Sequence, residues 1–388
     1  MTQSINQEFR EMIEEIIKIR RKFHQLAELS YKEYKTTAYI EEILTNWGLK
    51  FQNFENLDTG GFCEIGEGPA LLFRSDIDGL PIEEAEGHSV KSDTKGTMHA
   101  CGHDFHIAIG LGLLSYFQQN PNELQGRLRV IFQPAEEAAP GGAEFVKKED
   151  IWQNARHILG VHVDNQYPTG KVIVPEKAAS ASSTSVKIEL IGPGGHTSRP
   201  DDTVDLINVC GEYITALQNH LNSSIDLRET LSFAFGKIEG GDTHNAIPQK
   251  IELRGTLRAH KNSIEKKARN IIKDFTKNFA RLYNIEIDLQ FPTRCPATNN
   301  DPEIVDKIIK FMENRDKSNL IIQKKASMGA DDFAVYLDKL PGMYIRIGAG
   351  GQGEMHTGEL LLEEQLLEPA LNYLTGFIEF YFDSGSYK

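Results

Sequence analysis

The sequence predicts an α/β fold in two domains, the second inserted into the first. Three observations carry this. The chain has 388 residues, more than one hydrophobic core comfortably holds. Apolar strand-like runs alternate with helical segments up to residue 179 and again from 292 to 388, the pattern of a mostly parallel sheet covered by helices. Between them, residues 180–291 read β-α-β-β-α-β, the order of a ferredoxin-like unit.

Element by element, MTQSINQEFREMIEEIIKIRRKFHQL reads as an amphipathic helix, charged throughout and so not expected to act as a signal peptide. ALLFRSDIDGLP is a buried strand that ends on Asp76 and Asp78. A helix covers Ile107 to Phe117. RLRVIFQPAEE is the next strand, stopped by Pro134, with Glu136 and Glu137 just beyond. HILGVHVDN supplies a third strand, finishing at His162. All three strands carry polar groups at their carboxyl ends, the edge where open α/β sheets hold ligands. In the inserted domain TSVKIELIG, LSFAFGKIEGG, QKIELRGTLRAH and NIEIDLQF are strands. DDTVDLINVCGEYITALQNHL and SIEKKARNIIKDFTKNFARLY are helices, the first opening on aspartates that suit its dipole. From Pro292 the α/β pattern resumes with a helix at Ile304–Met312, the strand MYIRIGAG and a closing helix from Glu363.

Composition excludes several classes. The formal net charge is −14 and no run of Lys or Arg forms a patch, so no nucleic-acid partner is expected. The longest apolar run, IAIGLGLLSYF, falls far short of a membrane span. Cys63, Cys101, Cys210 and Cys295 are scattered without disulfide spacing, which points to a reducing, cytoplasmic setting.

One stretch concentrates donors. MHACGHDFH sets His99, Cys101, His103, Asp104 and His106 against an apolar segment. A Cys–His pair alone is equally a buried structural thiol beside histidines. Adjacent carboxylates at Glu136 and Glu137 repel one another unless a cation or a proton relieves them. His162 ends the next strand, and His356 sits in the loop GGQGEMHTGE. Cys101, His103, Glu137, His162 and His356 then make a mixed thiolate, imidazole and carboxylate set, suited to zinc or a neighbouring transition metal. Ligands drawn from separate segments, with a spare carboxylate nearby, suggest a catalytic rather than a structural site.

RSDIDGLPIEE, GTMHACGHDFH, FQPAEEAAPGGAEFV, GVHV with PTGKV, GPGGHTSRP, GGDTHNAIPQ, RGTLRAH and MGADDF follow one another along nearly the whole chain. In these motifs the sequence resembles the amidohydrolase branch of the M20 metallopeptidase superfamily. That branch includes N-acyl-amino-acid and hippurate hydrolases, auxin-conjugate hydrolases and N-acetyldiaminopimelate deacetylase. The resemblance implies a metal-binding α/β catalytic domain (1–179 and 292–388) with an inserted ferredoxin-like lid (180–291). It implies two divalent transition-metal ions, zinc, manganese or cobalt, held by Cys101, His103, Glu137, His162 and His356. Cys101 stands where related peptidases use a bridging Asp. Glu136 is then the general base, and either Asp76 or Asp78 orients a ligand or the base.

The implied reaction is removal of an acyl group from an N-acyl-L-amino acid, a small-molecule substrate. His196 is the expected oxyanion donor, with Arg258 and Asn245 for the substrate carboxylate. His99 and His106 are expected to support the ligands from behind, with Asp104 orienting an imidazole. His88, His157, His220 and His260 are assigned to surface or core. A dipeptidase or aminocarboxypeptidase of the same superfamily is the alternative. A non-catalytic metal-binding protein is a further one, against which Glu136 speaks. An exposed strand or helix of the lid would let two copies pair as a homodimer. Where relatives read Gly-Glu-Asp-Phe, this chain has Gly329-Ala330-Asp331-Asp332-Phe333, leaving Asp331 in the place of the glutamate.

Overall fold

The computed structural model describes residues 7–383; the first six residues of the expected N-terminal helix lie outside them. The chain divides into two compact units. Residues up to 179, 300–325 and from 332 onward form the first, and residues 180–299 with 326–331 form the second.

In the first unit, α1 (Gln7–Leu26) buries Ile13, Ile16, Ile19 and Phe23 on one stripe, the spacing of an amphipathic helix. It is followed by α2 (Tyr34–Asn46), β1 (Phe51–Asn53), β2 (Gly61–Gly66) and β3 (Ala70–Asp76). Every residue of β3 is buried, with Leu71 and Phe73 in one apolar cluster and Ala70 and Leu72 in another. That alternation places a core on each face of the sheet. Next come α3 (His103–Gln119), β4 (Arg127–Gln133), β5 (Ala155–Asp164) and β6 (Val172–Pro175). Nearly every side of α3 is buried, so it is a core helix.

The second unit contains β7 (Ser182–Ile191), α4 (Leu206–Ser224), β8 (Leu231–Glu239), β9 (Lys250–Ala259), α5 (Asn262–Tyr283) and β10 (Glu286–Gln290). Its strands are antiparallel in the order β8-β9-β7-β10, which is the ferredoxin-like arrangement. Tyr213, Leu217, Ile272 and Phe279 of the two helices pack with Val186, Leu253 and Leu257 of the sheet. The Asp205 carboxylate caps α4, accepting from the N–H groups of Ile207 and Asn208.

The chain then returns to the first unit as α6 (Pro302–Asp316), β11 (Leu320–Gln323), β12 (Gly342–Gly348) and α7 (Leu367–Asp383). Among the described residues its sheet runs β1-β2-β4-β3-β5-β12-β6-β11. β4, β3, β5 and β12 are mutually parallel, so their carboxyl ends share one edge.

Two expectations shift. The return to the first unit comes at Asn300 rather than at Pro292, because Arg294 and Cys295 still pair with Thr184 and Ser183 of β7. β5 passes His162 and ends at Asp164, since its pairing with β12 continues to Asp164 opposite Gly348.

The start of α3 depends on Gly102, whose φ of +82° is left-handed. A Cβ there would meet Val163 Cγ2 at 2.5 Å and Leu362 Cδ1 at 2.9 Å. Gly102→Ala is therefore expected to cost about 2 kcal/mol or more, from backbone strain and overpacking together, read as a lowered urea midpoint.

Candidate metal centre

The loop before α3 and the carboxyl ends of the parallel strands converge. Cys101 Sγ lies 3.3 Å from His162 Nε2 and 3.3 Å from His356 Nε2. Two donor groups follow, Cys101 with His103 and His162, and Cys101 with Glu137 and His356. In each, the donor atoms lie within 4.8 Å of one another, and the thiol is common to both. Glu136 joins His103 and Glu137 in a third group of the same size. All five expected ligands and the expected base are thus brought together.

The imidazoles are aimed by their second nitrogens. His162 Nδ1 donates to the Val163 carbonyl at 2.6 Å, and His103 Nδ1 donates to the Asp78 carbonyl at 2.9 Å. A carbonyl oxygen only accepts, so both rings carry a proton on Nδ1 and turn Nε2 toward the cluster. His356 has φ +63° and donates its own N–H to the Ala100 carbonyl at 2.8 Å. Its side chain is 53% exposed, which makes this the wet side of the cluster.

The two aspartates separate into different tasks. Asp78 accepts from His103 Nδ1 at 3.2 Å, from the Glu137 N–H at 3.0 Å and from Ser30 Oγ at 2.6 Å. Asp76 binds His106 Nδ1 and an Arg74 N–H. The other nitrogen of His106 accepts the Val163 N–H at 3.0 Å, so His106 stands behind the cluster. Both aspartates are fully buried. Burial alone would raise the Asp76 carboxyl, but Arg74, His103 and His106 hold it well below the ordinary carboxylate range.

The residues fit a bound cation. His103 Nε2 and Glu137 Oε1 are buried 4.0 Å apart, and His356 Nε2 lies 3.2 Å from the same Glu137 oxygen. Burial pushes the Cys101 thiol up to about 12 and drives His162 well below the imidazole range. A divalent ion reverses the first effect and uses the neutral ring that the second provides. Sulfur, imidazole and one carboxylate suit zinc and its neighbours rather than calcium or magnesium.

Three further residues escaped sequence reasoning. Arg74, buried in β3, reaches Asp76, Gln133 at 2.9 Å and Asp332 at 2.9 Å. An arginine inside an all-buried strand is rare enough to be a signal. Ser30 serves Asp78. Glu33, fully buried, accepts from the Ala135 N–H at 2.8 Å and from Thr59 Oγ1 at 2.7 Å. It thereby fixes the left-handed Ala135 (φ +56°) that precedes Glu136.

The other expected site residues lie elsewhere in the chain. His196, Asn245 and Arg258 belong to the second unit. His196 is exposed and pairs with Ala246, beside Asn245; Arg258 on β9 donates to the Met328 carbonyl at 2.8 Å. Of the two aspartates near 330, Asp332 rather than Asp331 joins the first unit, accepting from Arg74, Gln133 and the Ala143 N–H.

The sequence profile of peptidase family M20/M25/M40 matches residues 72–379. Thermostable carboxypeptidase 2 of Saccharolobus solfataricus is 30% identical over 378 residues, covering 95% of each chain. An N-acetyldiaminopimelate deacetylase of a Geobacillus species is 31% identical and covers 94% of this chain and 98% of its own length. A solved Bacillus subtilis structure, described as a dinuclear metal binding peptidase from the M20 family, superposes with a TM-score of 0.84. It is 28% identical and covers 96% of this chain and 99% of its own.

Arg74→Met keeps the length of the side chain but leaves Asp76 and Asp332 buried without their cation. The expected cost is about 3–5 kcal/mol, measured by urea unfolding of the metal-free protein so that altered loading does not contribute.

Proposed function

The chain belongs to peptidase family M20/M25/M40, and from that premise we propose a metal-dependent amidohydrolase that removes the acyl group from N-acyl-L-amino acids. The observation that carries this reading is one thiol, Cys101, common to two donor groups, with a further carboxylate, Glu136, beside them. A binding protein has no use for that carboxylate.

His103 and His162 would hold one ion and Glu137 and His356 the other, with Cys101 between them. Bound there, the ions would supply Lewis-acid polarisation of the amide carbonyl and would acidify the attacking water. Glu136 takes the proton from that water and delivers it to the departing amide nitrogen, acting first as base and then as acid. Glu33 and Asp78 keep the loop around Glu136 in place. His196, Asn245 and Arg258 stay proposed as substrate contacts on their chemistry, an imidazole donor for the oxyanion and polar partners for the carboxylate.

The name of the Geobacillus relative supports deacylation. The name of the archaeal relative, at nearly equal identity, favours a second reading in which a C-terminal residue is cleaved from a peptide. A panel of N-acetyl- and N-benzoyl-amino acids against dipeptides and blocked peptides decides between them. Higher kcat/KM on the acyl-amino acids is expected, and the reverse order would favour the peptidase.

Glu136→Gln is expected to lower kcat by about 10²–10⁴ while the metal content stays at the parent value. Hydrolysis at the parent rate would remove Glu136 from the mechanism. Chelation should abolish turnover, and added zinc, manganese or cobalt should restore it.

A further inference from the structure

A second set of donors, outside the centre just described, gathers between α1 and the loop that follows β3. His24 Nε2 lies 3.1 Å from Glu84 Oε1, and His88 Nδ1 lies 2.8 Å from the same oxygen. The three donor atoms fall within 4.8 Å of one another, and all three side chains are largely buried. His88 is thus neither plain surface nor apolar core, as the sequence had suggested. Two of the three groups are braced from behind. His24 Nδ1 faces Asp104 Oδ2 at 2.8 Å, and the second oxygen of Glu84 accepts the Ser92 N–H at 2.8 Å. A carboxylate behind an imidazole is the arrangement that fixes a metal-ligating histidine. With its proton on Nδ1, His24 turns a lone pair toward a carboxylate oxygen, which is repulsive unless a cation lies between.

That cation is either a proton or a metal ion, and the adjoining cavity has room for the waters a metal ion would carry. It has a volume of about 320 Å³ and is lined by His24, His88, His99, Asp104 and Arg20, among others. His99, 2% exposed, donates from Nδ1 to the Asp78 carbonyl at 3.1 Å, and its Nε2 has no partner. Asp104 Oδ1, equally buried, has none either. Both are acceptors that ask for donors. Waters in the cavity satisfy them, and the same waters would complete the coordination of an ion held by His24, Glu84 and His88. The fixed charges agree: Glu84, Asp104 and Glu364 outnumber Arg20 and Arg21 around the cluster.

We propose that His24, Glu84 and His88 form a further divalent-cation site, separate from the centre around Cys101, with waters completing the coordination on the cavity side. Two imidazoles and one carboxylate, with an open position, are a donor set for zinc or a neighbouring transition metal. An ion there would tie α1 to the loop after β3, and through Asp104 to the first turn of α3.

The test counts metal. The full chain is stripped with a chelator, reloaded with zinc, freed of unbound ion by gel filtration and analysed by plasma mass spectrometry. The parent should hold one equivalent more than His88→Ala and one more than Glu84→Gln, with circular dichroism confirming that each variant is folded. In a Cys101→Ala/His162→Ala background the same equivalent should persist and disappear when His88→Ala is added. Should either single variant fail to fold, calorimetric titration of zinc into a Cys101→Ala/His103→Ala/Glu137→Gln/His162→Ala protein at unchanged His88 gives the answer: binding of an equivalent that bound zinc spectroscopy assigns to two imidazoles and a carboxylate without sulfur supports the site, and no binding overturns it. Equal zinc content in parent, His88→Ala and Glu84→Gln overturns it and leaves the proposed amidohydrolase untouched. Loss of zinc only on substitution at Cys101 and His162 also overturns it.

Discussion

Asp78 is the constraint on which the centre depends. One fully buried carboxylate accepts from three segments that are distant in sequence: Ser30 after α1, His103 at the start of α3, and the Glu137 N–H after β4. Its main-chain carbonyl takes the imidazole protons of His99 and His103 as well. A charge this deep survives because each of its oxygens has a donor. Burial would lift its pKa, yet the bonds from His103, Ser30 and Glu137 keep the carboxyl below the ordinary value. The ligands inherit their directions from that demand.

The sheet supplies the convergence. Because β3, β4 and β5 are parallel, Asp76, the residues after Gln133 and His162 arrive at one edge. His103 enters from above, at the first position of a helix whose preceding glycine has no room for a side chain. Cys101, Glu137 and His356 come from loops, and His356 alone of the expected ligands is exposed. A helix and a strand therefore supply His103 and His162 to one donor group, while loops supply every member of the other.

Much of this was legible in the sequence for a plain physical reason. Parallel strands are apolar until they end, so polar groups such as Asp76, Glu136, Glu137 and His162 announce the ligand edge. The Cys101–His103 run announces itself by donor density. What was illegible depends on pairings across the fold. Nothing local in HQLAE or EEAEGH marks His24, Glu84 and His88 as neighbours, because α1 and the loop after β3 meet only through tertiary packing. The junction was read at Pro292 because proline ends regular structure, yet two residues of pairing at Arg294 and Cys295 hold the chain in the second unit. Likewise, Asp331 and Asp332 are indistinguishable by type; the reach of Arg74, Gln133 and the Ala143 N–H selects Asp332.

Arg74 has a consequence for how this architecture can change over time. Its guanidinium is shared among Asp76, Gln133 and Asp332, which come from three different stretches of chain. An apolar replacement is tolerable only if the acidic neighbours become neutral in the same step, since each intermediate strands a charge in the interior. Single substitutions are thus blocked in both directions, and the group behaves as one heritable unit. Descendants of this chain would be free to remodel the loop of His356 long before they could rewrite the floor beneath it.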